Sequence, residues 1–175
     1  MLNITVQSVE TFIRVELPKK LAEDLRHHRI TMEADLETCA YYHLRRFLIS
    51  DPRWIILARK HVPTGYYVDL LLFKRAIPRL ALELKWNRSK IAEKDRRSLE
   101  SAISELGLNK AYFLATCIRK APFKNMTKTR VEKGRVFEVI VELGFTKEQL
   151  IGWKQTRRSY RKEMSLGNAL NNNVV

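Results

Sequence analysis

The chain has 175 residues, 45% of them hydrophobic and 30% charged, which suits a single globular domain and excludes both a disordered polymer and a membrane-embedded protein. No apolar run approaches the roughly 20 residues that span a bilayer, and the N-terminus lacks a basic segment leading into an apolar stretch and cleavage site, so an intracellular protein with no membrane partner is expected. A net charge of +14 points to a polyanionic partner, with nucleic acid the leading candidate and solubility or a thermophilic habit the bland alternative.

Asn3 to Leu17 alternates enough to suggest one or two short strands, and Leu17-Pro18 then opens a helical stretch through Leu25. From Thr31, read as an N-cap, Leu36, Ala40, His43, Leu44, Phe47 and Leu48 recur at helical spacing until Asp51-Pro52, which predicts an amphipathic helix. Trp54 to Val62 and Tyr66 to Phe73 read as strands joined by a turn at Pro63-Thr64-Gly65. After a polar break from Lys74 to Pro78, a third strand is expected from Arg79 to Trp86. It carries Leu80, Leu82 and Leu84 on one face and Ala81, Glu83 and Lys85 on the other.

A long helix follows, burying Ile91, Leu99, Ala102, Ile103 and Leu106 and stopping at Gly107. Ala111 to Thr116 is a buried strand, Arg119 to Gly134 a basic stretch, Val136 to Leu143 a further strand, and Thr146 the start of a last helix to about Lys162. One domain over 1–165 is expected, with its core at 31–118 and a basic strand and helix at 119–163. Residues 166–175 have nothing to bury and are expected to be a disordered tail. The two cysteines, Cys39 and Cys117, stand far apart and are read as buried thiols.

The chemistry concentrates in Val68-Asp69-Leu70-Leu71-Leu72 and Leu82-Glu83-Leu84-Lys85, where charges sit inside apolar strands and an unpaired one would cost several kcal/mol. A hairpin centred on Ala76 sets Leu70 opposite Leu82, Leu72 opposite Leu80, and Asp69 opposite Glu83. Two carboxylates about 5 Å apart across a ladder repel unless a cation lies between them. Mg²⁺ or Mn²⁺ is the natural resolution, held by Asp69, Glu83, the backbone carbonyl of Leu84, waters and a phosphate oxygen. Lys85, two residues beyond Glu83 on the same face, is placed to orient an attacking water and stabilise charge on the phosphorane.

Asp69 followed, after a strand turn, by Glu83-x-Lys85 resembles the PD-(D/E)XK nuclease superfamily, which includes restriction endonucleases and archaeal Holliday-junction resolvases. The resemblance covers roughly Glu33 to Thr116, with Val68 where the family usually has a proline. It implies an α/β fold: a restriction-endonuclease-like core with a central mixed β-sheet flanked by helices in α-β-β-β-α-β order. It also implies metal-dependent hydrolysis of DNA, with Asp69 and Glu83 as metal ligands, Lys85 as the catalytic cation, and a glutamate from the preceding helix in support. Glu37 is slightly favoured for that last role over Glu33, one turn earlier. The alternative is an internal Asp69–Lys85 salt bridge with Glu83 as a protective charge on an edge strand. A non-catalytic nucleic-acid-binding module on the same fold is the runner-up function, and a homodimer is left open.

Lys90, Lys94, Arg96 and Arg97 are either DNA contacts or the solvated face of their helix. From Arg119 to Glu163 there are 13 Lys and Arg against 5 Glu and no Asp, so Lys124, Lys128, Arg130, Arg157 and Arg158 are expected along a phosphate backbone. Trp86 is read as closing the rim of the core rather than stacking on a base. The four histidines have no ligand spacing, and no glycine-rich phosphate loop is present.

Overall fold

Val9, Ile13, Leu17, Leu21 and Leu25 recur every four positions and are all fully buried, and that period, not the alternation read between Asn3 and Leu17, decides the N-terminal structure. The computed structural model describes residues 3–61, 65–120, 126–131 and 134–171, with backbone alone at 126, 130, 131 and 160–171. Helix α1 (Val6–Thr11), a π-helical turn (Phe12–Glu16) and helix α2 (Leu17–Arg26) follow one another directly, where strands were expected. The β-branched Val6, Val9, Thr11, Ile13 and Val15 lent the segment its strand-like look. Pro18, within α2, lacks the N–H that a helix needs and would crowd the Arg14 carbonyl. The wider turn, in which the Leu17 N–H reaches back to the Phe12 carbonyl, relieves that clash.

Helix α3 (Glu33–Leu48) starts one residue later than a Thr31 cap implies. Asp35 Oδ2 reaches back to accept from the Thr31 N–H, the Thr31 hydroxyl and the Met32 N–H, so Thr31 donates rather than caps. Leu36, Ala40, Leu44 and Leu48 form its buried stripe.

The fold is α/β, with an open, six-stranded mixed sheet flanked by helices, in the order β1-β2-β3-β4-β6-β5. Strands β1 (Trp54–His61), β2 (Tyr67–Lys74) and β3 (Ile77–Lys85) form an antiparallel meander. Helix α4 (Glu93–Leu106) then crosses to β4 (Lys110–Lys120), parallel to β3, completing the α-β-β-β-α-β order expected of a restriction-endonuclease-like core. It stops at Gly107, which takes the left-handed conformation (φ 62°) that glycine adopts without strain. Ile91 lies ahead of α4 rather than in its stripe, with its N–H donated to the buried Glu138.

Part of the basic stretch forms β5 (Met126–Val131), antiparallel to β6 (Val136–Phe145), which runs parallel to β4. Helix α5 (Lys147–Asn171) ends the chain's described part, so the backbone of 166–171 continues this helix where a disordered tail was expected, and 172–175 lie outside the described residues. So do Pro63 and Thr64 of the expected β1–β2 turn.

The β2–β3 hairpin shows how local geometry positions the site. Arg75 and Ala76 both have positive φ (53° and 61°), the signature of a tight two-residue turn whose twist matches the strands. That turn centres half a residue before Ala76, so the tip pairs Lys74 with Ile77 and Phe73 with Pro78. An irregularity between Leu72 and Phe73 then restores Leu72–Leu80 and Leu70–Leu82, the register expected from symmetry about Ala76. The third strand therefore begins at Ile77 rather than Arg79.

Leu70, Leu72, Leu80, Leu82 and Leu84 pack in one core with residues of α2 and α3, while Leu71, Ala81, Leu99, Ala102 and Ile103 pack in a second core between the sheet and α4. Trp86 joins the rim of the first core and stacks on Trp153, with ring centroids 5.5 Å apart. No helix among the described residues is long and apolar enough to cross a membrane. Because Leu82 is fully buried at the sheet centre, Leu82→Ala is expected to cost about 2–5 kcal/mol in urea unfolding, whereas Ile55→Ala, on the exposed side of β1, changes stability by less than about 0.5 kcal/mol.

Candidate active site

Strand alternation puts Asp69 on the same side of β2 as Leu71 and Phe73, and Glu83 on the same side of β3 as Ala81, facing the layer that holds α4. The regular β2–β3 ladder ends at Leu70 and Leu82. Just past that point Asp69 spans the gap with its side chain, its Oδ2 accepting the Leu84 N–H at 2.6 Å. The side chains of Asp69 and Glu83 are 15% and 9% exposed, and β3 is flanked by β2 and β4, so Glu83 is not the edge-strand charge of the alternative reading.

Lys85 projects into the same space. Its Nζ lies 2.6 Å from Glu83 Oε1, 3.3 Å from Glu33 Oε1 and 3.9 Å from Asp69 Oδ2, and it donates to the Leu84 carbonyl at 3.3 Å. Asp69, Glu83, Lys85 and the Leu84 carbonyl are therefore brought together. The helical glutamates divide differently from expectation: Glu33 touches Lys85 and also accepts the Trp86 N–H at 3.4 Å. Glu37, the favoured one, instead accepts from Arg59 Nε at 3.1 Å, although its charge still reaches Asp69. One helical turn separates the two, and only the earlier one meets the end of β3.

Burial pushes the Glu83 carboxyl up to about 7, helped by the negative charge of Asp69 and opposed by Lys85. Burial raises Asp69 as well, against the Leu84 N–H and Lys85. Burial also disfavours the Lys85 ammonium, but its hydrogen bond to Glu83 and the charges of Asp69 and Glu33 outweigh this and raise its pKa. A cation with three carboxylates around it stays charged.

Glu83 Oε2 is buried and has no hydrogen-bond partner among the described residues. Such an orphaned oxygen is costly unless a further donor or cation meets it. The Glu83 residue lines a cleft of about 290 Å³ together with Gly65, Tyr66, Tyr67, Asp69, Lys85, Lys94, Asp95 and Ser98. Two carboxylates and a carbonyl are hard oxygen donors of the kind Mg²⁺ and Mn²⁺ take, so the donor set fits such an ion. Among the described residues no group of three or more His, Cys, Asp or Glu is gathered as a ready metal cluster, and Lys85 supplies the cation next to Glu83.

The expected nucleic-acid contacts fare unevenly. Lys94 lines the cleft and Lys90 is exposed nearby in sequence. Arg96 is engaged by Glu93 and Glu100, and Arg97 by Glu93, as helical ion pairs. Lys128 pairs with the buried Glu142, Arg157 lies over the Trp153 ring, and Arg158 is exposed. Lys124 lies outside the described residues, and Arg130 is placed in β5 by its backbone alone.

Tyr66, Tyr67, Asp95, Ser98 and Arg59 were not anticipated. Tyr67 had a signal, since it precedes Asp69 by the two residues that share a strand face.

No protein-family model and no curated protein matches the chain. Among solved structures, a chain of the refined half-complex from a tetradecameric assembly of Thermococcus gammatolerans McrB AAA+ hexamers with bound McrC is similar, at 14% identity and a TM-score of 0.41. The match covers 75% of this chain and 33% of that one, so this chain spans about a third of its length.

The folded state binds the Glu83 proton more tightly than an unfolded chain does, so this group's contribution to stability declines as pH rises from about 4.5 to about 7. In a carboxyl-detected NMR titration, one glutamate is expected to titrate near pH 7 and to vanish in Glu83→Gln. A Glu83 midpoint at the ordinary value of 4.5 would contradict a desolvated site.

Proposed function

We propose that this chain is a metal-dependent endonuclease of the PD-(D/E)XK type that hydrolyses DNA phosphodiester bonds inside the cell. The observation that carries the reading is the convergence of Asp69, Glu83 and Lys85 beside an open cleft, with one Glu83 oxygen buried and unpartnered among the described residues. Asp69, Glu83 and the Leu84 carbonyl would hold Mg²⁺ or Mn²⁺, which when bound supplies an activated water and neutralises charge at the scissile phosphate. Lys85 contributes a fixed positive charge toward the attacked phosphate and a donor that orients the water. Glu33 holds the Lys85 ammonium from the side of α3, a positioning role. The chain's net charge of +14 favours association with a polyanion, and Lys94 stands exposed on the cleft's lining.

A non-catalytic DNA-binding module on the same fold is the second reading. The close Lys85–Glu83 contact favours it, because an ion pair already offsets part of the buried charge.

Cleavage of linear, flapped and four-way DNA with Mg²⁺, Mn²⁺ or EDTA separates the two. Wild-type protein is expected to cut only with metal, and Glu83→Ala to be inactive. Lys85→Ala is expected to keep metal binding but cut about 100-fold more slowly, the scale of one lost preorganised charge. Folded variants that both cut at the wild-type rate would remove this hairpin from the chemistry. Metal-free DNA binding is expected to weaken with salt at a log–log slope of several units, about 0.9 for each phosphate neutralised. A flat response would instead favour a protein partner.

A further inference from the structure

The cleft has an aromatic wall that metal-assisted hydrolysis does not use. Tyr67 is 61% exposed, an unusual exposure for a large aromatic ring beside a buried charged site. It precedes Asp69 by two residues on β2, so the two side chains leave the same face from backbone positions roughly 7 Å apart along the strand. Both residues line the same cleft.

The ring has a neighbour across the strand pair, and its backbone is tied to α4. His61, its partner across β1 and β2, meets it edge-on with ring centroids 4.7 Å apart and planes inclined at 76°, which leaves a ring face uncovered by that contact. The buried Ser98 of α4 donates its hydroxyl to the Tyr67 backbone carbonyl at 3.0 Å, tying this end of β2 to the helix that also carries Lys94.

An exposed aromatic face about one nucleotide along the strand from a phosphate-hydrolysing centre is an arrangement that stacks a base. In an intact duplex both faces of each base are covered by its neighbours, and extruding a paired base carries a cost that an unpaired base does not. We infer that Tyr67, braced by His61, is a stacking platform for an unpaired nucleobase next to the scissile phosphate, and that the substrate class is therefore DNA with single-stranded character at the cut site: a flap, a gap or a frayed junction. This rests on the nuclease reading proposed above.

The test has two readouts. In EDTA, an oligonucleotide carrying the fluorescent base 2-aminopurine at an unpaired position is expected to be at least about twofold dimmer when bound to wild type or Tyr67→Trp than when bound to Tyr67→Leu, with Tyr67→Leu binding about tenfold more weakly. With Mn²⁺, wild type is expected to cut flapped DNA about tenfold or more faster than matched linear duplex, and Tyr67→Leu to lose most of that preference. Equal fluorescence and affinity for folded wild-type and Tyr67→Leu protein would overturn the platform, even if linear and flapped DNA are both cut and the nuclease reading stands. Stacking in EDTA without cleavage of any substrate by wild type would sink the nuclease reading, and with it the inferred substrate class.

Discussion

The cost of placing three charged side chains at one half-buried end of an apolar hairpin is the constraint on which the rest of this structure turns. Asp69, Glu83 and Lys85 are each largely withdrawn from water. Desolvation pushes both carboxylates toward their protonated forms, and their mutual repulsion adds to it for Glu83. What the fold supplies in return is specific: the Leu84 N–H for Asp69, the Lys85 ammonium for Glu83, and Glu33 on the far side of that ammonium. One oxygen, Glu83 Oε2, is left without a hydrogen-bond partner among the described residues, and an apolar isostere there would remove the penalty. Retaining the charge makes sense where a cation or a proton is handled.

The backbone is arranged to make that convergence unavoidable. A tight turn at Arg75-Ala76 and the irregularity after Leu72 together set the register that brings the ends of β2 and β3 into apposition. A one-residue slip would send Glu83 to the face occupied by Leu82 and Leu84. Burying those leucines against α2 and α3 therefore also holds the carboxylate on the side of the cleft. Arg59 adds a local strain. It stands in the left-handed region (φ 47°) inside β1, and its guanidinium reaches Glu37 rather than continuing the strand pattern.

Much of this was legible in the sequence, because the strongest signals coincide with the strongest energetic terms. Leucines at 70, 72, 80, 82 and 84 define both strands and their pairing, and charges breaking an apolar run mark the site. The N-terminal helices were hidden because β-branched residues at short range imitate a strand. Only the four-residue period carried into Leu21 and Leu25 reveals the helix, at the point where the π-helical turn makes room for Pro18. The choice between Glu33 and Glu37 was hidden for another reason. Both lie near the same side of α3, and the crossing of α3 over β3, which tertiary packing sets, decides which one meets Lys85. Pairing of Arg96 and Arg97 with Glu93 lay in plain sight as helical spacings of three and four, and it tempers any reading of a basic count as a count of DNA contacts.

If the carboxylate pair exists to hold a divalent cation, that ion should bind without DNA and should displace protons held near neutrality. Calorimetric titration of Mn²⁺ into the intact chain, repeated in buffers of different ionisation enthalpy, measures both quantities. One ion per chain with proton release near pH 7 is the expected result, lost in Asp69→Asn and in Glu83→Gln. Folded wild-type protein that takes up no Mn²⁺, or takes it up equally well in both variants, would contradict the assignment of this hairpin as the metal-binding catalytic centre.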